Sequence, residues 1–282
     1  MPQSAAPRLL LSDPDHVEVG VARLMAGEPV AHGFGGLYAI TARGDDLTIA
    51  GVNRWKGRPA GQVGSVVVPP EGVPAVFDWS QLPPSVAPDR LGDAMQALWS
   101  LGPFGFRGPA ASGLPRLLTS TDQDTLTTQL IAPGPACPSN TFLRRAYLAT
   151  GAPLYITSAN RSRHVSGGAD APAHWRAERL RAEFDTANSG RPLTLLEHAD
   201  ETQARDAYPR HLPMSTTILA FHQRREVDGH PALVVERHGS LHLGEVARVV
   251  GRFGFAVVVD RRAMTRLSPR DYGDVSVGHV RV

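Results

Sequence analysis

Leu154-Tyr155-Ile156-Thr157-Ser158-Ala159-Asn160 is an apolar run followed by two hydroxyls and an amide. The run predicts a buried strand over 154–157, with a polar loop over 158–168 beyond its carboxyl end. Open α/β sheets bind ligands at that end of their strands. The same residues also suit a plain polar turn that caps a strand. Working outward, Ser139 or Asn140 is placed to cap a helix that runs through Thr150, with Phe142, Leu143, Ala146 and Tyr147 inward and Gly151 at its end. An amphipathic helix is expected over 173–184. Toward the N-terminus, Asp13 and Pro14 open a helix over 13–27, with Val17, Val21, Leu24 and Met25 at helical spacing. A short strand opens over 29–31, and the glycines of 33–40 suit a turn or a close approach to a ligand. A β-branched run over 63–68 is a strand stopped by Pro69-Pro70, and 89–99 is a helix. The Gly- and Pro-rich stretch 102–115 reads as a long loop. Strands over 216–221 and 232–236 are joined through Asp228-Gly229, and a helix over 244–253 precedes a last strand over 256–260. Strands and helices alternate from end to end, so the class is α/β with one mixed sheet.

The 282 residues allow one large or two small domains and a sizeable core. The single cysteine, Cys137, excludes a disulfide framework and a multi-Cys zinc site; beside Pro138 it reads as a small buried residue rather than a nucleophile. The 11 histidines show no metal-ligand spacing, so no metal ligands are expected. A net charge of +2 is too small for a nucleic-acid arm. No long uncharged apolar run predicts a membrane span, and residues 1–12 lack the layout of a secretory signal, so a cytoplasmic protein is expected. All 29 basic residues except Lys56 are arginine. Lysine is a compact point charge and arginine a planar fork, so the position that keeps the lone lysine either needs that compact ammonium or keeps it by chance.

Four constellations carry possible chemistry. Asn53-Arg54-Trp55-Lys56-Gly57-Arg58-Pro59 sets three cations in five residues, which suits either phosphate binding or a solvated basic helix end. The loop after the 154–157 strand is the second. Ser215-Thr216-Thr217 offers three hydroxyls for phosphate oxygens or a Mg²⁺ shell, or simply starts a strand. Glu236-Arg237-His238-Gly239 ends a strand with one fixed cation.

The order of these pieces resembles the YrdC-like threonylcarbamoyl-AMP synthase family, over roughly 13–246. Lys56-Gly57-Arg58-Pro59 and Thr157-Ser158-Ala159-Asn160 are the most specific parts, and Gly102-Pro103-Phe104 looks like a weakened form of the family's Trp-Pro-Gly-Pro loop. The resemblance implies a single YrdC-like domain: a twisted mixed sheet with helices and a large electropositive concave face. It implies a nucleotidyltransferase that joins ATP, bicarbonate and an amino acid into a carbamoyl-type adenylate and releases pyrophosphate. Related domains in carbamoyltransferases handle carbamoyl adenylate made from carbamoyl phosphate. By this resemblance Lys56 and Arg58 neutralise the carbamate and phosphates. Ser158, Asn160, Ser215, Thr216 and Arg237 hold the nucleotide, and Tyr38, Arg54 and Thr157 meet the substrate. Mg²⁺ would bridge the phosphates, with phosphate and water as most of its shell because no dense carboxylate cluster stands in the sequence. The implied partners are these small molecules and a downstream carbamoyl-transfer partner, as in tRNA modification, with no membrane and no strong nucleic-acid signal.

Two stretches depart from the family. Gly33-Phe34-Gly35-Gly36 stands where the family has Pro-Thr-Asp/Glu-Thr, so two hydroxyls are gone and weak use of L-threonine is expected. Gln129-Leu130-Ile131-Ala132-Pro133 lacks the arginine of the family's Arg-x-Pro. The losses favour a relative that binds a nucleotide or RNA without turnover; the intact Lys-Gly-Arg and Ser-Ala-Asn favour an enzyme. Residues 247–282 form an extension, read as an added strand over 256–260 and a lid over 265–272.

Overall fold

In the computed structural model, residues 8–162, 173–185 and 193–267 are described. Their strands join one mixed, 13-stranded sheet. Near one edge are β1 (Leu9–Leu10), β2 (Val30–Phe34), β3 (Leu37–Arg43) and β9 (Thr194–Glu197). In the middle lie β4 (Ser65–Val67), β7 (Thr125–Ala132) and β8 (Leu154–Ser158), with β6 (Thr119–Asp122) paired to β7. Beyond them stand β5 (Phe104–Pro109), β10 (Ile218–Ala220), β11 (Glu226–Val227), β12 (His230–Arg237) and β13 (Ala256–Val259). The spatial order is β1-β9-β2-β3-β8-β4-β7-β5-β10-β12-β11, with β13 parallel to β12.

Alternation along each strand divides the apolar residues between two cores. Along β8, Leu154 and Ile156 join one core and Tyr155 the other. The larger core lies under α2 (Asp46–Trp55), α3 (Pro88–Trp99), α5 (Ala177–Asp185) and α7 (Leu243–Gly251); α6 (Glu201–Asp206) follows β9. The second lies under α1 (Pro14–Met25) and α4 (Asn140–Thr150), which pack against each other. Asp13 caps α1 as expected, accepting from Asp15 N at 2.9 Å. Val17, Val21 and Leu24 turn inward from α1, and Phe142, Leu143 and Ala146 from α4; Tyr147 is only half-buried. Among the described residues no helix is long and apolar enough to cross a membrane.

Of residues 33–40, Gly35-Gly36 form the expected turn and the rest complete the β2–β3 hairpin, with Phe34 opposite Leu37. Residues 102–115 are not a long loop, because β5 lies inside them. Its glycines mark close packing rather than a loop. A Cβ on Gly108 would lie 2.1 Å from the Phe221 ring, and one on Gly105 2.8 Å from the Ile218 side chain. Gly108→Ala is therefore expected to destabilise the chain by about 1–3 kcal/mol, the usual cost of overpacking. A urea midpoint equal to that of the parent would contradict this packing. The lid expected over 265–272 is described only to residue 267, where Arg266 donates to the backbone of Gly239 and Ser240; residues 268–272 lie outside the described residues, as do 163–168 of the expected polar loop.

The second core holds a buried histidine. His32 is fully enclosed, with Nε2 2.7 Å from Thr41 Oγ1 and Nδ1 3.1 Å from Gly33 O. Burial pushes its pKa down to about 4 from 6.5. The unfolded chain takes up a proton that the folded chain refuses, so this contribution is complete above pH 6.5 and is lost as pH falls toward 4. The loss is about 1.4 kcal/mol per pH unit for one histidine. His211, also pushed down to about 4 by burial, acts in the same direction. Urea melts at pH 7 and pH 5 should show the loss, and His32→Gln should flatten it; an unchanged slope in that variant would refute the assignment.

Candidate functional site

The basic loop starts at the end of α2, which Asp45 caps by accepting from Thr48 N at 2.9 Å. Lys56 closes the helix, and Gly57 takes φ +74°, the left-handed conformation that reverses the chain there. Arg58 N then returns to Asn53 O at 2.7 Å. The buried Asn53 amide donates to Ala60 O at 3.2 Å and Gln62 O at 2.7 Å, which fixes the loop. This turn aims both cations at the end of β8. Arg58 Nη1 donates to Thr157 Oγ1 at 2.7 Å; Lys56 Nζ donates to the same oxygen at 3.0 Å and to Ser158 O.

A second arm comes from β10 and β12. Arg237 Nε donates to Thr216 O at 2.7 Å, and its Nη2 to Thr216 Oγ1 at 2.9 Å. The chain after Arg237 runs against Ser215 and Thr216, where Ser240 N donates to Ser215 O at 2.8 Å. Only glycine fits between: a Cβ on Gly239 would lie 2.2 Å from Ser215 O. The Arg-x-Gly spacing thus reflects this close backbone approach.

Between the two arms lies an open cavity of about 180 Å³. Of the residues expected at the site, Tyr38, Arg58, Thr157, Ser158, Ser215, Thr216 and Arg237 line it. Three do not. Lys56 is wholly buried and sits behind the wall, touching it through Thr157 and Ser158. Asn160 is buried with its amide turned to Arg161 O at 2.8 Å. Arg54 follows the inward Asn53 by one helical step, about 100° around the axis, and lines a different cavity with Arg43, Thr48 and Trp55. Tyr38 lines the cavity, but its hydroxyl donates to Glu201 Oε1 at 2.9 Å; burial, and then that carboxylate, hold its pKa far above the usual value.

Other lining residues emerge only in the fold. Gln129 Nε2 donates to Ser65 Oγ at 2.6 Å on the cavity wall, at the stretch that lacks the expected arginine. Phe34, Leu37, Ile131 and Ile156 supply apolar surface. Phe34 and Gln129 were visible in the sequence as departures from the family pattern; both line the one cavity, from strands β2 and β7 that do not pair.

No carboxylate lines the cavity among the described residues, so what they offer Mg²⁺ there is neutral oxygen, from hydroxyls, the Gln62 and Gln129 amides and the backbone. These residues do not form a protein-held Mg²⁺ site. Elsewhere Asp122, His222 and Glu236, from three separate segments, bring one ligand atom each within 4.8 Å of the others. Sequence spacing gave no hint of this group. Within the group His222 Nε2 lies 2.8 Å from Asp122 Oδ2, Arg107 Nη1 lies 3.5 Å from Glu236 Oε2, and the buried His222 Nδ1 has no hydrogen-bond partner. The His222 hydrogen bond holds the Asp122 carboxyl below its usual range, whereas burial pushes that of Glu236 up.

No protein-family profile and no curated protein match the chain. Solved structures do. The chain is similar to P. abyssi Sua5 complexed with L-threonine, at 16% identity and a TM-score of 0.60, over 87% of this chain and 60% of that one. It is also similar to the hypothetical protein smu.1377c from Streptococcus mutans, at 15% identity and TM-score 0.60, over 86% and 94% of the two chains. T. kodakarensis HypF matches at 16% identity and TM-score 0.53, over 82% of this chain and 25% of that one. The chain therefore spans about three fifths of the length of Sua5 and a quarter of HypF. Its large mixed sheet with layered helices matches these structures, so the chain has a YrdC-like fold.

Proposed function

We propose that this chain forms a carbamoyl-type adenylate from ATP and a carbamate. The observation that carries the reading is the convergence of Arg58 and Arg237, each steadied by a threonine, on one cavity that no acidic residue lines among the described residues. Such a cavity suits a polyanion. In the reaction an amine and bicarbonate condense to a carbamate and water. A carbamate oxygen then bonds to the α-phosphorus of ATP. The bond between that phosphorus and the bridging oxygen breaks, and pyrophosphate leaves with the electron pair. No protein nucleophile is required, so catalysis is positioning and charge stabilisation. Arg58 and Arg237 would neutralise phosphate and carbamate oxygens. Ser158, Ser215 and Thr216 would hydrogen-bond them, and Lys56 and Asn160 would hold the wall from behind. Mg²⁺ would arrive with ATP, on phosphate and water oxygens.

The test is pyrophosphate release from ATP, with bicarbonate plus amines in one arm and carbamoyl phosphate in the other. Release that depends on either carbon donor supports the reading. A second reading, a relative that binds nucleotide without turnover, is favoured by Gln129 at the position where the family has an arginine. It predicts ATP binding with no pyrophosphate in any arm, which would replace the first.

A further inference from the structure

The floor of the cavity is the open flank of the second core. Phe34, Ala39, Ile131 and Ile156 belong to that core and also line the cavity. Leu37, half-buried, stands beside them at the hairpin tip, opposite Phe34. None of these side chains carries an N–H or O–H. Polar groups adjoin this surface: Ser158 and Ser65 stand opposite Ala39 and Ile156 in the strand pairing, and Thr157 Oγ1, Thr216 Oγ1 and Ser65 Oγ accept from Arg58, Arg237 and Gln129. The cavity therefore joins cationic and hydroxylic groups to an apolar floor that ends in Phe34 and Leu37 at the hairpin tip.

We propose that the amine whose carbamate is adenylated bears an apolar substituent, as in a hydrophobic amino acid, and that Phe34 and Leu37 determine this preference. The inference rests on the carbamoyl-adenylate reading of the site. The phosphates and the carbamate oxygens are anionic and belong at Arg58 and Arg237. The substituent on the carbamate nitrogen is then the part of the ligand left for the floor. Laid against Phe34 and Leu37, a hydroxyl gives up water and meets no side-chain donor or acceptor of theirs, whereas a branched alkyl or phenyl group gains burial. Differences of this kind between side chains are worth about tenfold or more in kcat/KM.

The experiment measures pyrophosphate release with ATP and bicarbonate, with L-leucine, L-phenylalanine, L-threonine or L-serine as the amine, and carbamoyl phosphate as a separate arm. Leucine or phenylalanine is expected to exceed threonine and serine by about tenfold or more in kcat/KM. Phe34→Thr should narrow that ratio, with its fold checked by circular dichroism. Should Phe34→Thr unfold, Leu37→Ser at the half-buried tip makes the same test. Threonine equal to leucine in the parent chain, or an unchanged ratio in a folded variant, overturns the inference and leaves the reaction standing. Release with carbamoyl phosphate alone overturns it in the same way. No release in any arm removes the reaction, and this inference with it.

Discussion

Lys56→Arg is expected to destabilise the folded chain by about 1–3 kcal/mol, the cost of forcing a larger group into a filled site. Lys56 is the only lysine of 282 residues, and it has no exposed surface. Its ammonium sits between Thr157 Oγ1 and Ser158 O, behind the wall that the cavity uses. A planar guanidinium needs more width than that slot offers and would collide with Arg58, which shares Thr157 Oγ1. Lys56→Met keeps much of the stem and removes the donors, so it should cost about 1.5–3 kcal/mol through the lost charged hydrogen bonds, while Thr157 Oγ1 keeps Arg58 and Ser158 O keeps Asn160 N. Urea melts of the three proteins decide it. If Lys56→Arg matches the parent, the lone lysine is an accident of composition and the slot is wider than this account requires.

Arg58→Ala and Arg237→Ala should each weaken ATP binding by about 1.5–3 kcal/mol, the scale of a charge-assisted hydrogen bond, or roughly ten- to a hundredfold in Kd. The two guanidiniums reach the cavity from opposite arms, Arg58 from the turn after α2 and Arg237 from the end of β12. Arg54→Ala is the matched control, since it removes the same charge from a different cavity. Equilibrium dialysis with ATP at two salt concentrations measures all three. Equal losses in Arg54→Ala and Arg58→Ala would reduce the effect to net charge and sink the assignment of the cavity.

The parts of this fold that the sequence reveals are those set by local chemistry. The cap at Asp13 and the apolar spacing of Val17, Val21 and Leu24 announce α1, and the apolar run before Thr157 announces β8. β5 stays hidden because Gly105 and Gly108 look like loop residues; their reason, the side chains of Ile218 and Phe221, lies about 110 residues away in the chain. Within the site, Arg58, Ser158, Thr216 and Arg237 are legible because each sits at a strand or helix end with a recognisable neighbour. The burial of Lys56 is not, since a lysine inside a basic run reads as solvated. Arg54 misleads for a simpler reason: one residue of helix turns it away from the cavity. The group of Asp122, His222 and Glu236 has no local pattern, because β6, the end of β10 and β12 each bring one member.

The central claim is that a carbamate carbon, from bicarbonate or from carbamoyl phosphate, ends up bonded through oxygen to the α-phosphorus of ATP. The direct measurement incubates the protein with ATP and either isotopically labelled bicarbonate plus an amine or labelled carbamoyl phosphate, then weighs the nucleotide products by mass spectrometry. The account predicts a labelled carbamoyl-type adenylate formed together with pyrophosphate. Unlabelled AMP with pyrophosphate, or ATP left unchanged while still bound, would contradict it.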